Sequence, residues 1–436
     1  MAIERVFVQS FGCRASQGDG DGIARSFEAR GFEVVPDVEH ASLIVLNTCT
    51  VTSSADSEAR HLIRRYHRAH PQARILVTGC YAQRDPDALA ALEGVDWVAG
   101  NSHKNQIAEL VTLPASTDYH GRVFVGELPS TFAAAEITGI REDRTRPNLK
   151  VQDGCSNRCS FCVIPSVRGR SRSAPLANVI AEVRRLAARY TEIVLTGINL
   201  GRWGRDLDAR LRFVDLIRAL LAETPVRRLR LSSVEPMDWS DELLELMAAE
   251  PRLARHVHAP LQSGCDRILK RMFRKYRVRH YEPRIQLARR LMPDAALGAD
   301  ILAGFPGETA EDFAETVAFV RAQPFTYLHV FTYSERPGTT AAALPDAVPI
   351  DVRRERNRVL RELSDQKNRE FRQSMMGRTL SAVTLEQRGS ALTTNYLRVQ
   401  LAREREPNHM IDVRIGDVSG ACLAEAPDPV GSTVTA

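Results

Sequence analysis

The chain contains no apolar run near the roughly 20 residues that span a bilayer, and its opening, MAIERVFVQS, lacks the basic start and apolar stretch of a secretory leader. Both absences argue against a membrane role and point to the cytoplasm. Internal repeats and low-complexity tracts are also missing from its 436 residues. Charge of one sign does not dominate: 59 Lys and Arg stand against 54 Asp and Glu, for a net charge of +5, so where the charges cluster matters more than their sum. Hydrophobic residues at 44% and charged residues at 26% exclude wholesale disorder. Eight cysteines are present, and in a reducing compartment a disulfide framework is not expected. Clustered cysteines are then first weighed as metal ligands or catalytic thiols.

The length suits two to four domains, and the pattern divides into three parts. In residues 1–140, β-branched runs (RVFVQSFGC, LIVLNTCTV, RILVTGCYAQ) alternate with helical stretches, the mark of parallel βαβ units and an open α/β domain. Residues 129–147 have weak periodicity and read as a linker, with a new domain under way by Asn148. Over 141–374 five strand-like runs (EIVLTGINLG, RRLRLSSVEP, RHVHAPLQSG, ALGADILAGFPGE, YLHVFTYSERPGT) alternate with amphipathic helices, as in a partial (β/α) barrel whose strand-end loops carry chemistry. A charged helix follows at 351–374, and short strands with turns over 375–436 predict a small all-β barrel.

The segment QDGCSNRCSFCVIPSVRGRSRS places Cys155, Cys159 and Cys162 within eight residues. A structural zinc site takes four ligands, and no fourth is near. Thiolates also hold iron–sulfur clusters, and a four-iron cubane held by three cysteines keeps one iron open to an outside ligand. Cys13, Cys49 and Cys80 each end a strand-like run in the first part. Singly, each reads as a buried inert thiol; in an open parallel sheet the strand ends share one edge, where the three can converge.

CxxxCxxC with Phe161 before its last cysteine resembles the signature of the radical S-adenosylmethionine (SAM) enzymes. Two three-cysteine sets in this order, with FGCRASQ, LNTCTVT, VTGCYAQ, LKVQDGC, LTGINLG, LSSVEP, HAPLQSG, ADILAGFPGET and FTYSERPGT, resemble the methylthiotransferases over nearly the whole chain. LKVQDGC, GINLG and TTNYLRVQL are most similar to the subclass that modifies N6-threonylcarbamoyladenosine in tRNA. The resemblance implies two 4Fe–4S clusters, one on Cys13, Cys49 and Cys80 and one on Cys155, Cys159 and Cys162, with SAM as methyl donor and radical source. It implies a C-terminal barrel of the TRAM type, a tRNA anticodon stem-loop as partner, a one-electron donor such as a flavodoxin or ferredoxin, and a monomer. A first SAM methylates a sulfur on the N-terminal cluster. A second is cleaved at the central one to a radical that removes the adenine C2 hydrogen, and the methylthio group joins there. No side-chain base could take that proton at neutral pH.

Gly197 and Gly201 are expected to let SAM approach the backbone, and Glu235 and Gln262 to hold its ribose or amino group. Cys265 and Cys422 lack partners and read as structural. Ten Lys or Arg between Arg267 and Arg290 form a basic footprint. Candidate phosphate contacts are Arg271, Arg274 and Lys275 there, with Arg168, Arg170 and Arg172 beside the cysteines. Residues 375–436 hold six Arg and seven acidic residues, so a grip on RNA there needs a local patch such as Arg378, Arg388 and Arg398, with Tyr396 for stacking. The family's N-terminal motif usually has Asn where Ser16 stands, and the GDGDG that follows is expected to be a mobile loop. Isopentenyladenosine in tRNA or a ribosomal-protein aspartate are alternative substrates, and a non-catalytic iron–sulfur RNA-binding sensor is the reading from another class.

Overall fold

Runs such as LIVLNT are apolar at successive positions and so must be covered on both faces, which a parallel sheet flanked by helices provides. The computed structural model of the protein describes residues 4–112, 122–133 and 145–427; most of the linker expected over 129–147 lies outside them. Six strands, β1 (Arg5–Ser10), β2 (Glu33–Val34), β3 (Leu43–Thr48), β4 (Arg74–Gly79), β5 (Trp97–Gly100) and β6 (Arg122–Phe124), pair in parallel in the order β2-β1-β3-β4-β5-β6. Leu43 and Val45 join one core with Phe27 and Trp97, while Ile44 and Leu46 join another with Ile63 and Tyr66, so β3 is buried from both sides. The short strands β2, β5 and β6 carry too few residues for a periodic signal.

The order reverses at β1, where β2 lies on one side and β3 on the other. That reversal opens a crevice at the carboxyl ends of the strands, the usual ligand position in such sheets. Cys13 and Cys49 flank this crevice, and Cys80 ends the next strand, β4.

The central part continues with β7 (Asn148–Asp153), β8 (Arg172–Ser173), β9 (Glu192–Gly197), β10 (Arg228–Leu231), β11 (His256–His258), β12 (Ala296–Ala303) and β13 (Tyr327–Thr332). They form one sheet β10-β9-β7-β8 and another β11-β12-β13. Backbone bonds from Leu229 N–H to the Arg252 carbonyl and from Val234 N–H to the His258 carbonyl join the two into one curved wall. Six of its strands are parallel, the five expected and β7, which leads into the CxxxCxxC segment; β8 is antiparallel to β7. The N-terminal part reaches both margins of this wall. The helix Arg14–Glu28 packs on β7, and past β13 Arg336 donates to Asp56 at 2.5 Å and Thr50 at 2.8 Å.

The helix Ile350–Gln373 leads to five strands, β14 (Thr379–Thr384), β15 (Ser390–Thr393), β16 (Arg398–Gln400), β17 (Met410–Ser419) and β18 (Cys422–Glu425), closed in the order β14-β15-β16-β18-β17. No helix among the described residues is long and apolar enough to cross a membrane.

A buried ion pair fastens this barrel to the central wall. Arg230 donates to Glu192 at 2.7 and 3.0 Å and to the Thr393 and Thr394 carbonyls at 3.0 and 3.1 Å. Burial works to raise the Glu192 pKa, but Arg230, Arg146 and Arg228 hold it down to about 2. Glu192→Gln leaves those guanidiniums without their carboxylate and is expected to cost about 3–5 kcal/mol, read as a lower urea midpoint at pH 7. Because the folded pKa lies below the ordinary 4.5, the stability from Glu192 is complete above that pH. The gap between wild type and variant therefore narrows as pH falls from about 4.5 towards 2.

Candidate active site

The first trio is built by strand ends. Cys13 precedes the helix Arg14–Glu28, Cys49 follows β3, and Cys80 opens the helix Cys80–Arg84 directly after β4. Two glycines make the approach possible. At Gly12, with φ +99°, a Cβ would stand 3.0 Å from Cys49 Sγ; at Gly79, with φ +95°, it would stand 2.4 Å from the Thr48 carbonyl. The thiols share one electrostatic environment: burial raises Cys49 to about 12, and Cys80 and Cys13 add to the rise. Cys80 is likewise raised, by burial first.

A buried ionic knot backs this trio. Arg168 Nε donates to Cys80 Sγ at 3.1 Å, Nη1 to Asp153 at 3.0 Å, and Nη2 to Asp19 at 2.8 Å and Ser16 Oγ at 3.3 Å. Lys104 reaches Asp153 at 2.8 Å and Asp19 at 3.2 Å; Lys150 reaches both carboxylates and Arg172 reaches Asp153 at 2.9 Å. Burial disfavours both carboxylates as anions, yet the surrounding cations hold each well below the usual range. Asn101 spans from the Val167 carbonyl, at 2.8 Å, to Cys80 Sγ, at 3.6 Å.

This corrects three expectations. The GDGDG stretch is not a mobile loop: it lies inside the helix Arg14–Glu28 with Gly18, Asp19, Gly20 and Asp21 buried, because Asp19 is the anion that Lys104, Lys150 and Arg168 require. Ser16 faces Arg168 and stands 3.6 Å from Cys13 Sγ. Arg168 and Arg172 are not phosphate contacts, since both are wholly buried on carboxylates inside the protein.

The second trio sits on the loop after β7. The Asn157 N–H meets Cys155 Sγ at 3.4 Å, Asn199 Nδ2 meets it at 3.5 Å, and the Cys162 N–H closes on the Cys159 carbonyl at 3.1 Å. Burial raises Cys155, and raises Cys162 to about 12, with the neighbouring thiols adding to both. Gln152 locks the loop, donating to the Asp153 and Gly154 carbonyls at 2.8 Å and accepting from the Asn199 N–H at 2.6 Å. Here too a buried guanidinium faces a sulfur. Arg274 Nη1 donates to Cys159 Sγ at 3.2 Å while Nη2 pairs with Glu235.

Arg274 is therefore also withdrawn from the phosphate contacts, being buried between a thiol and a carboxylate. Arg271 is half-buried, with Nε on the Pro306 carbonyl at 3.2 Å; Arg170 and Lys275 are exposed. At Gly197 and Gly201 the neighbouring protein leaves no room for a side chain. A Cβ would meet Gln152 Cβ at 2.9 Å in the first case and Asp238 Cβ at 2.5 Å in the second. Tyr396 is not free for stacking, because its ring lies on His256 at 4.3 Å and its hydroxyl accepts from Arg14. Cys265 is buried and donates to Asp312, and Cys422 sits on β18.

The second trio opens on a cavity that the chain just past Cys49 also lines. This cavity of about 150 Å³ is lined by Val51 and Thr52, two and three residues beyond Cys49, and by Phe161, Cys162, Gln262, Leu302 and Phe331. Gln262 holds its place with φ +68° and a backbone bond to the Asp300 carbonyl at 2.8 Å. A second, wider cleft of about 520 Å³ brings Arg14, Arg146 and Arg398 together from all three parts of the chain.

Residues 5–100 match the uncharacterized protein family UPF0004 and residues 149–320 the Radical SAM superfamily. A relative from Aquifex aeolicus, threonylcarbamoyladenosine tRNA methylthiotransferase MtaB, is 37% identical over 420 residues, 94% of this chain and 100% of its own. A tRNA-2-methylthio-N(6)-dimethylallyladenosine synthase from Acidothermus cellulolyticus is 34% identical, covering 96% of this chain and 85% of its own. Among solved structures, the radical S-adenosylmethionine methyltransferase TsrM from Kitasatospora setae aligns with a TM-score of 0.59 at 20% identity, over 78% of this chain and 77% of that one, which speaks to fold. With a full-length relative at this identity, a CxxxCxxC loop at the mouth of a parallel β/α wall and a second set of three cysteines at strand ends of the N-terminal sheet, the chain belongs to the radical SAM methylthiotransferase family.

Proposed function

We propose that the protein is a tRNA methylthiotransferase that places a methylthio group on C2 of N6-threonylcarbamoyladenosine at tRNA position 37. The observation that carries this is the cavity between the two parts: Cys162 and the residues just past Cys49 line the same space, so a base entering it meets Cys162 and the segment that follows Cys49.

The residues fit two 4Fe–4S clusters. Each site offers three thiols rather than four, which leaves one iron for a guest ligand. Burial keeps Cys49 and Cys162 protonated until a cation displaces the protons. The chemistry that such groups supply is an electron for splitting SAM at Cys155, Cys159 and Cys162, and a sulfur for transfer at Cys13, Cys49 and Cys80. Arg274 and Arg168 each put positive charge and a donor against one sulfur, stabilising the more reduced, more negative state. Glu235 engages Arg274 through Oε2, leaving Oε1 for a hydroxyl of SAM. Phe161 and Gln262 shape the wall beside Cys162 and keep water from it. The cleft of Arg14, Arg146 and Arg398, with exposed Arg170 and Lys275, gives phosphate contacts in place of the buried arginines. Isopentenyladenosine stands as a second reading because dimethylallyladenosine synthases are similar over comparable lengths, at 33–36% identity.

Anaerobic reconstitution of the full chain is expected to load about eight irons, the sum of two cubanes. With Cys13, Cys49 and Cys80 all changed to Ala, about four irons should remain, 5′-deoxyadenosine should still form, and methylthiolation should stop. Changing Cys155, Cys159 and Cys162 to Ala should abolish both products. Full methylthiolation by the first variant would sink the two-cluster scheme. Arg274→Met removes one charge-assisted donor and should shift the central cluster's reduction potential negative by roughly 40–60 mV, about 1 kcal/mol at one electron, in a titration followed by electron paramagnetic resonance. Arg398→Glu should weaken binding of every anticodon stem-loop and reduce the salt slope of the affinity by about 1 in a fluorescence titration.

A further inference from the structure

Strands β12 and β13 pair so that Leu302 faces Phe331 and, two residues earlier, Asp300 faces His329. Leu302 and Phe331 line the cavity that contains Cys162. Alternate residues share one face of a strand and two residues rise about 6.6 Å, so Asp300 and His329 continue the same wall one pleat deeper into the barrel. His258 of β11 completes the group: its Nε2 and His329 Nδ1 each lie 3.3 Å from Asp300 Oδ1. Below it the stack of His256 on Tyr396, with His256 Nε2 at 2.7 Å from the Tyr327 hydroxyl, closes the floor.

The protons in this group are directional. Burial opposes ionisation of Asp300, but His258 and His329 hold its carboxyl below the usual range. An ionised carboxylate only accepts, so the ring nitrogens facing it carry hydrogen. The second nitrogen of His258, Nδ1, stands 2.7 Å from the Ser233 hydroxyl. The second nitrogen of His329, Nε2, makes no hydrogen bond among the described residues, and 52% of that side chain is exposed. His258 Nε2, in a residue 4% exposed, has no aligned hydrogen bond, so the group is also unsaturated at its buried end.

We propose that His329, oriented by Asp300 and His258, is the specificity residue that accepts a hydrogen bond from the N6 arm of the target adenosine, selecting an arm with N–H or O–H groups over a hydrocarbon one. This rests on the function proposed above and names how that site reads its substrate. The cavity at Leu302, Phe331, Val51 and Ile164 is apolar and suits the flat base, while Asp300 and His329 continue the same strand face one pleat on, where a substituent on the base would reach. A site built to hydrogen-bond its substrate rejects an analogue lacking the group strongly, because its own acceptor is then left unpaired. Two imidazoles and a carboxylate are also a divalent-metal donor set.

The test uses the reconstituted full chain with three anticodon stem-loops that differ only at position 37: threonylcarbamoyladenosine, isopentenyladenosine and adenosine. His329→Phe should raise KM for the threonylcarbamoyl RNA about 5- to 10-fold, the worth of one hydrogen bond, with kcat within about twofold. KM for the other two RNAs should not rise, and His329→Gln, which keeps a side-chain acceptor, should recover most of the loss. An unchanged KM for the threonylcarbamoyl RNA, or an equal rise with all three RNAs, overturns the role of His329. A wild-type enzyme that modifies only the isopentenyl RNA overturns the proposed substrate instead, before any variant is made. Metal analysis closes the last alternative: iron and zinc content equal to wild type in His329→Phe supports the assignment, and one metal fewer overturns it in favour of a metal centre.

Discussion

Arg168 holds the site together. Its guanidinium is 1% exposed and is shared between a thiol that ends β4, a serine and an aspartate of the helix after Cys13, and an aspartate that ends β7. A charge taken this far from water is tolerated only when every donor is met, and breaking one partner of such a pair costs several kcal/mol. The N-terminal sheet and the central barrel are thus fixed to each other at the point where the first trio lies. Lys104 and Lys150 repeat the linkage from both sides. Positive charge is concentrated around Asp19 and Asp153, and it lies beside the thiols that must become thiolates to hold iron.

The second trio repeats the device on a smaller scale, with Arg274 between Cys159 and Glu235. Each sulfur site is backed by a buried guanidinium, and the second opens on a cavity apolar near Cys162 and polar one pleat below. The graded wall of β12 and β13 follows from strand alternation: Leu302 and Phe331 share a face with Asp300 and His329. The C-terminal barrel seals the far end through Tyr396, whose ring is part of the floor rather than a platform for RNA. Its arginines contribute where Arg398 meets Arg14 and Arg146 in the outer cleft.

Reading the arginines from composition went astray for a definite reason. A basic run beside a catalytic loop has the same sequence appearance whether its side chains reach phosphates or fold inward onto carboxylates. The distant partners that decide the matter, Asp19 and Cys80, come from segments 149 and 88 residues away from Arg168. The same holds for His258, Asp300 and His329, which lie on three separate strands and carry no local spacing signal. Asn199 and Gln152 stood inside motifs already noticed, TGINLG and LKVQDGC, where the glycines and cysteines drew attention instead.

By itself the sequence determined what depends on local pattern: the alternation of strand and helix, the charged helix before the C-terminal barrel, and both sets of three cysteines at strand ends or in one loop. These follow from side-chain periodicity and from the edge that parallel strands share. Only the tertiary structure decided which charges are internal, which residues line the cavity beside Cys162 and which polar side chains meet on neighbouring strands. Those are pairings between segments far apart in the chain, and burial, which no single residue encodes, sets whether an arginine grips a phosphate or a thiol.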